Sequence, residues 1–114
     1  MPLLKINTNR KLDDTRANHL LAEASRSVAE ILGKPEDYVM VDLSDGRRMS
    51  FAGETAPLAS LELKSLGLPE ERTPALSAAL CKLISDALGI PQERIYIEFS
   101  SPQRRMWGWD GRTF

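Results

Sequence analysis

A single cysteine, Cys81, rules out a disulfide within the chain and fits a reducing compartment. No apolar run approaches the roughly 18 residues that a membrane-spanning helix needs, so no membrane partner is expected. The amino terminus lacks the basic stretch and following apolar stretch of a secretory leader, which makes the cytoplasm the expected location. Basic residues come at most in pairs, such as Arg47-Arg48 and Arg104-Arg105. With 15 Lys and Arg against 16 Asp and Glu, the net charge is -1, which argues against nucleic-acid binding by bulk electrostatics. His19 is the only histidine and has no cysteine or carboxylate at ligand spacing, so no metal site is expected. There is no glycine-rich phosphate loop, no Gly-x-Ser-x-Gly elbow and no Cys-x-x-Cys, and no cofactor is expected either.

What the chain does contain is the patterning of one globular domain spanning residues 1–114, with 42% hydrophobic and 27% charged residues. At the start, Leu4 and Ile6 alternate with Lys5 and Asn7, the period of a strand with one buried face. A polar loop follows, in which Asp13 or Asp14 can cap a helix. Ala17, Leu20, Leu21, Ala24, Val28, Ile31 and Leu32 then recur at helical spacing, and Gly33 suits the left-handed position after the last turn. A turn leads into a second strand, Tyr38–Leu43, and Met49–Ala52 reads as a short extra strand. The second half repeats the first. Ala59–Lys64 is a strand with Leu61 and Leu63 placed like Leu4 and Ile6. Thr73-Pro74 opens a helix, with Thr73 as N-cap and Pro74 at the first position, and Gly89 closes it. Leu32-Gly33-Lys34-Pro35 through Asp42 matches Leu88-Gly89-Ile90-Pro91 through Glu98 at an offset of 56 residues. The halves are therefore 1–57 and 58–114, each a β-α-β unit.

Right-handed crossovers put both helices on one face of a four-stranded sheet. The expected fold is α+β: a two-layer sandwich of tandem β-α-β units with pseudo-twofold symmetry. The bare sheet face is expected to carry Ile, Leu and Val, and so to require an oligomer. Trp107 and Trp109, around Gly108, mark a terminal strand or hairpin.

The chemistry has few carriers. Cys81 reads as a small core hydrophobe. Pro2 directly follows Met1, and a proline there permits removal of Met1, leaving a secondary amine. An α-amino group titrates near pH 8, and burial lowers that value, which makes it a usable general base. Lys34 reads as a cation near a helix C-terminus, and Tyr96 as a strand packing residue with its hydroxyl at the edge.

Met-Pro followed by Leu-Lys-Ile-Asn-Thr-Asn, then Gly33-Lys34-Pro35 and Met49-Ser50-Phe51-Ala52-Gly53, resembles the macrophage migration inhibitory factor family of the tautomerase superfamily. The likeness runs on through Leu63-Lys64-Ser65-Leu66-Gly67, Leu80-Cys81, Arg94-Ile95-Tyr96-Ile97, Trp107-Gly108-Trp109 and Thr113-Phe114. It implies a homotrimer around a central barrel of sheets, and keto-enol tautomerisation of a small enolisable keto acid, phenylpyruvate-like, at sites between subunits. By position, it makes Pro2 the general acid/base and Lys34 the ligand of the substrate's anionic group. Ser65 and Leu66 supply further contacts, Tyr96 comes from the neighbouring subunit, and Trp107 and Phe114 wall the pocket. Glu98 stands where the vertebrate cytokine has asparagine, which brings a carboxylate toward the site. Trp107 replaces a small aliphatic residue and narrows the pocket. Leu58-Ala59-Ser60-Leu61 replaces that cytokine's Cys-x-x-Cys, so a thiol oxidoreductase side activity is not expected. The alternatives are a cytokine-like interaction module that engages a protein receptor, and a ligand-binding domain without catalysis.

Overall fold

A computed structural model describes residues 1–114. Its main sheet has four strands: β1 (Leu3–Thr8), β2 (Met40–Ser44), β3 (Ala59–Lys64) and β4 (Ile95–Ser100), in the order β2-β1-β3-β4. The outer pairs are parallel and the central β1–β3 pair is antiparallel. Helices α1 (Asp14–Leu32) and α2 (Thr73–Leu88) make the two crossovers. A terminal hairpin pairs β5 (Gly108–Trp109) with β6 (Arg112–Thr113). This is the α+β sandwich that the repeat predicts. Neither helix is long and apolar enough to cross a membrane.

The core lies between the sheet and the helices. Alternate residues Leu4 and Ile6 from β1, and Leu61 and Leu63 from β3, meet Leu20, Ala24 and Val28 of α1 and Leu80, Ile84 and Leu88 of α2. Cys81 packs half-buried against this core. Asp13 caps α1 by accepting a 2.8 Å bond from the Arg16 amide.

The twofold reaches the helix ends. Arg16 Nη2 donates to the Ala87 carbonyl at the end of α2, and Arg72 Nη2 donates to the Ile31 carbonyl at the end of α1, at 3.4 and 2.6 Å. Both donors and both acceptors are related by the same 56-residue offset. Each helix C-terminus thus has an orphan carbonyl and a favourable cation supplied by the other half. From β1 to β3 the offset is 57, while from β2 to β4 it stays 56, since the pair Leu3↔Met40 corresponds to Ser60↔Tyr96.

Four local expectations give way. Met49–Ala52 is not a strand: Phe51 and Glu54 exchange both backbone bonds around Ala52 and Gly53. Both turn residues have positive φ, 56° and 73°, so the segment is a tight hairpin turn. Strand β2 starts at Met40, because Glu36–Tyr38 close a 3-10 turn first. Thr73 is not the cap of α2; it already has helical dihedrals, and its Oγ1 donates back to the Glu70 carbonyl at 2.8 Å. A 3-10 turn, Glu70–Arg72, feeds directly into the helix, and Arg72 occupies the cap position with no side-chain capping bond to α2.

The fourth correction concerns the bare sheet face. It is not apolar. Apart from half-buried Leu3 at the start of β1, the aliphatic positions of β1 and β3 point to the helices, so the other face presents their alternates. In register across the four strands stand Asp42, Lys5, Glu62 and Glu98. Tyr96 and Met40, 68% and 65% exposed, are its large apolar members. Hydrophobic exposure therefore does not by itself demand that this face be covered.

Candidate active site

Backbone geometry brings the amino terminus to the end of the sheet. The Met40 amide donates to the Pro2 carbonyl at 3.0 Å, which extends the β1–β2 pairing by one residue and leaves Pro2 buried. Lys34 arrives from the other side. Gly33 takes the left-handed conformation, φ 63°, and the Lys34 amide closes on the Ala29 carbonyl at 2.9 Å. This Schellman-type ending reverses the chain and sends the Lys34 side chain back toward the end of β3. There Nζ donates to Ser65 Oγ at 2.9 Å and to the Leu66 carbonyl at 2.6 Å. An ammonium has three N–H donors; the third is directed at the terminal amine and is the one a ligand would engage.

The terminal amine, which here belongs to Met1, titrates below the ordinary α-amino range. Burial contributes most, followed by the Lys34 charge, a hydrogen bond from Lys34 and the charge of Arg104. Desolvation and nearby cations both disfavour the ammonium form. Beside the amine is a small apolar cavity of about 150 Å³, with Met1 and Pro2 at its base and Tyr38, Trp107, Trp109 and Phe114 among its walls. Trp109 stacks on Phe114 with centroids 5.9 Å apart, and Tyr38 meets Trp109 edge-on at 5.7 Å. The Phe114 amide donates to the Trp107 carbonyl at 3.2 Å, tying the last residue to the wall.

Of the residues singled out from the sequence, Pro2, Lys34, Ser65, Leu66, Trp107 and Phe114 therefore gather at one end of the sheet. Ser65 is fully buried and touches Lys34, not the cavity. Tyr96 and Glu98 lie elsewhere in the same chain. Leu3, Lys64 and Ser100 share a register row, and Tyr96 is four residues back along β4, two strands from β1. At about 3.3 Å per residue and 4.8 Å per strand, that is roughly 16 Å from Leu3. Both side chains are exposed on the bare face. Tyr38, Met40, Trp109 and Arg104 belong to the surroundings of the amine and were not anticipated as site residues. Trp109 had a signal in its position two residues after Trp107, whereas Tyr38 reaches the site only through tertiary packing.

The pseudo-symmetry offers a second sheet end with the same backbone, but not the same chemistry. Lys34 corresponds to Ile90, which is 1% exposed, and Ser65 to Thr8, whose hydroxyl donates to the Leu58 carbonyl at 2.8 Å. Pro2 corresponds to Ala59, a mid-chain residue with no free amine. A larger groove of about 400 Å³ between the helices, beside Arg16, His19, Glu23 and Asp86, contains none of these groups.

Fold and site together define a doubled β-α-β protein built around its own amino-terminal amine, with one lysine and an aromatic wall beside it. The chain belongs to the macrophage migration inhibitory factor family: the family profile described as Macrophage migration inhibitory factor (MIF) matches residues 1–114. A macrophage migration inhibitory factor homolog of Trichuris trichiura is 36% identical over 115 aligned residues, covering all of both chains. The crystal structure of a homologue from Prochlorococcus marinus superimposes with a TM-score of 0.93 at 45% identity, over 98% of each chain. The structure of the factor from Trichinella spiralis gives 0.90 at 35% identity, over 98% of this chain and 99% of that one.

Proposed function

We propose that this protein is a keto-enol tautomerase acting on small enolisable α-keto acids, with the amine of Pro2, freed by removal of Met1, as general acid/base. The observation that carries the reading is the convergence, at one end only, of the terminal amine, the Lys34 ammonium and an aromatic-walled cavity. The neutral amine takes the proton from the carbon next to the carbonyl, and the C–H pair becomes the enolate C=C bond. The resulting ammonium returns a proton to the enolate oxygen, giving the enol. The reverse sequence regenerates the ketone, and the amine ends each cycle unchanged. Such a group works best with a pKa near ambient pH; burial and the Lys34 and Arg104 charges lower the Met1 amine, and an amine on Pro2, itself buried, is subject to the same influences.

Lys34 holds the substrate carboxylate with the N–H that otherwise meets the terminal amine, and Ser65 and Leu66 aim it. Trp107 and Phe114 cover the hydrophobic part of the substrate. Tyr96 and Glu98 complete a site only from another copy, because within one chain they are too far from the amine. The working form is accordingly an oligomer, the homotrimer that the family resemblance implies, and light scattering is expected to give three times the 12.7 kDa chain mass; a monomer at micromolar concentration refutes that.

The test compares processed protein with protein whose Met1 is retained, each verified by intact mass, on an enolisable α-keto acid. Processed protein is expected to show saturable tautomerisation, and the retained form none, since its Pro2 nitrogen is a peptide nitrogen. No activity in the processed form refutes the reading and leaves the pocket a binding surface, as the interaction-module alternative has it.

A further inference from the structure

Tyr96 has no hydrogen-bond partner within its own chain, and its ring packs against one aromatic neighbour. That neighbour is Phe51, whose ring centroid lies 4.8 Å away at 66°, the edge-to-face arrangement aromatic pairs favour. Phe51 sits at the base of the tight hairpin turn after β2, in an exposed segment that would be mobile on its own. Arg94 prevents this. Its Nε donates to the Pro57 carbonyl at 3.0 Å, Nη1 to that of Phe51 at 3.3 Å, and Nη2 to those of Glu54 and Ala56 at 3.2 and 3.0 Å. The guanidinium carbon also lies 5.3 Å from the Phe51 ring centroid, within cation-π range. One side chain thus ties four carbonyls and one ring of a seven-residue segment.

The pseudo-twofold gives this clamp a counterpart. Arg94 corresponds to Tyr38, and the turn after β2 to the β5–β6 hairpin after β4. Tyr38 holds Trp109 of that hairpin against the amine, as Arg94 holds Phe51 against Tyr96. Each half therefore uses the last residue of the 3-10 turn before its second strand to fix a hairpin turn beside a site aromatic.

We propose that Arg94 and Phe51 are positioning residues that hold Tyr96 in the orientation in which it meets substrate. The proposal rests on the tautomerase reading and on Tyr96 serving the neighbouring subunit's site. Neither residue needs to touch substrate. An unheld Tyr96 would have to be ordered at each binding event, so loss of the clamp weakens binding more than it slows the proton transfer.

The experiment is a double-mutant cycle on the processed, full-length protein with an enolisable α-keto acid. Phe51→Leu is expected to raise KM by about 3- to 10-fold, the worth of one aromatic pair, with kcat within about 2-fold and urea midpoint unchanged. Phe51→Tyr, which keeps the ring, is expected to restore KM. Arg94→Lys is expected to act like Phe51→Leu, because an ammonium cannot fork to four carbonyls. In a Tyr96→Ala background, Phe51→Leu is expected to have no further effect. If Phe51→Leu leaves KM unchanged, or multiplies independently with Tyr96→Ala, the positioning role is overturned while the tautomerase reading stands. If Tyr96→Ala is itself silent, the role of Tyr96 and this proposal fall together, again with the Pro2 chemistry intact. A wild type without activity removes both readings.

Discussion

Lys34→Met tests the site most directly, because two independent quantities should move in directions the structure dictates. Methionine keeps an unbranched stem and removes the charge, so packing is nearly retained. Two charge-assisted bonds, to Ser65 Oγ and the Leu66 carbonyl, are lost, each worth at most about 1.5–3 kcal/mol. Against the roughly 5–15 kcal/mol of a typical domain this is a substantial loss, so urea denaturation verifies that the variant is folded before its kinetics are read. Loss of a charge-assisted bond to the substrate carboxylate, worth about 1.5–3 kcal/mol, raises KM by about 10- to 150-fold. An ester analogue without the carboxylate charge should lose far less. The pH profile supplies the second readout. The base must be neutral, so kcat/KM rises with pH through the amine's pKa. Lys34 lowers the Met1 amine by its charge and its hydrogen bond, and its charge acts in the same sense on the Pro2 amine once Met1 is gone; removing it lets that pKa rise, and the rising limb moves to higher pH. Steady-state rates for acid and ester from pH 5 to 9 provide both tests. Equal losses on the two substrates would refute the carboxylate role, and a limb that stays put or moves down would refute the electrostatic coupling.

Glu98→Gln is expected to act in the opposite sense if Glu98 reaches a neighbour's amine: a carboxylate favours the ammonium, so its removal moves the same limb to lower pH, and an unmoved limb places Glu98 outside the site. Arg72→Ala is expected to cost about 1–2 kcal/mol in urea denaturation, since it breaks a 2.6 Å charged cap, whereas its mate Arg16, at 3.4 Å, should cost less than half as much; equal losses would contradict the cap argument. Gly33→Ala meets no atom within 4 Å, so its expected loss of about 1–2 kcal/mol comes from the positive φ alone; a neutral result by the same denaturation would refute that backbone cost.

The elements were legible because each is encoded locally. The 3.6-residue spacing from Ala17 to Leu32, the period of two in Leu4 and Ile6, and glycines 33 and 89 state helices, strands and stops without reference to the rest of the chain. The 56-residue repeat then implied the doubled β-α-β plan, and the tryptophans around Gly108 the terminal hairpin. The mistake about the bare face came from counting aliphatic residues without following their parity. Lys5, Glu62 and Glu98 already occupied the alternate positions, and an alternation that buries one set must expose the other.

The candidate site was legible only in part. Pro2 was read from the Met-Pro start as a usable base, the roles of Lys34, Trp107 and Phe114 came through resemblance, and the convergence of all four in space is a consequence of strand order. Only the antiparallel pairing of β1 with β3 brings Ser65 to Lys34, across 31 residues, and only the docking of the last hairpin brings Trp109 to Tyr38. The same order separates Tyr96 from Pro2 by roughly 16 Å at strand spacing, so any site that uses both residues has to take them from two copies of the chain. Local sequence determined the elements because propensity and periodicity act over a few residues. The site was decided by tertiary structure because its groups meet only after long-range strand pairing has closed the chain on itself.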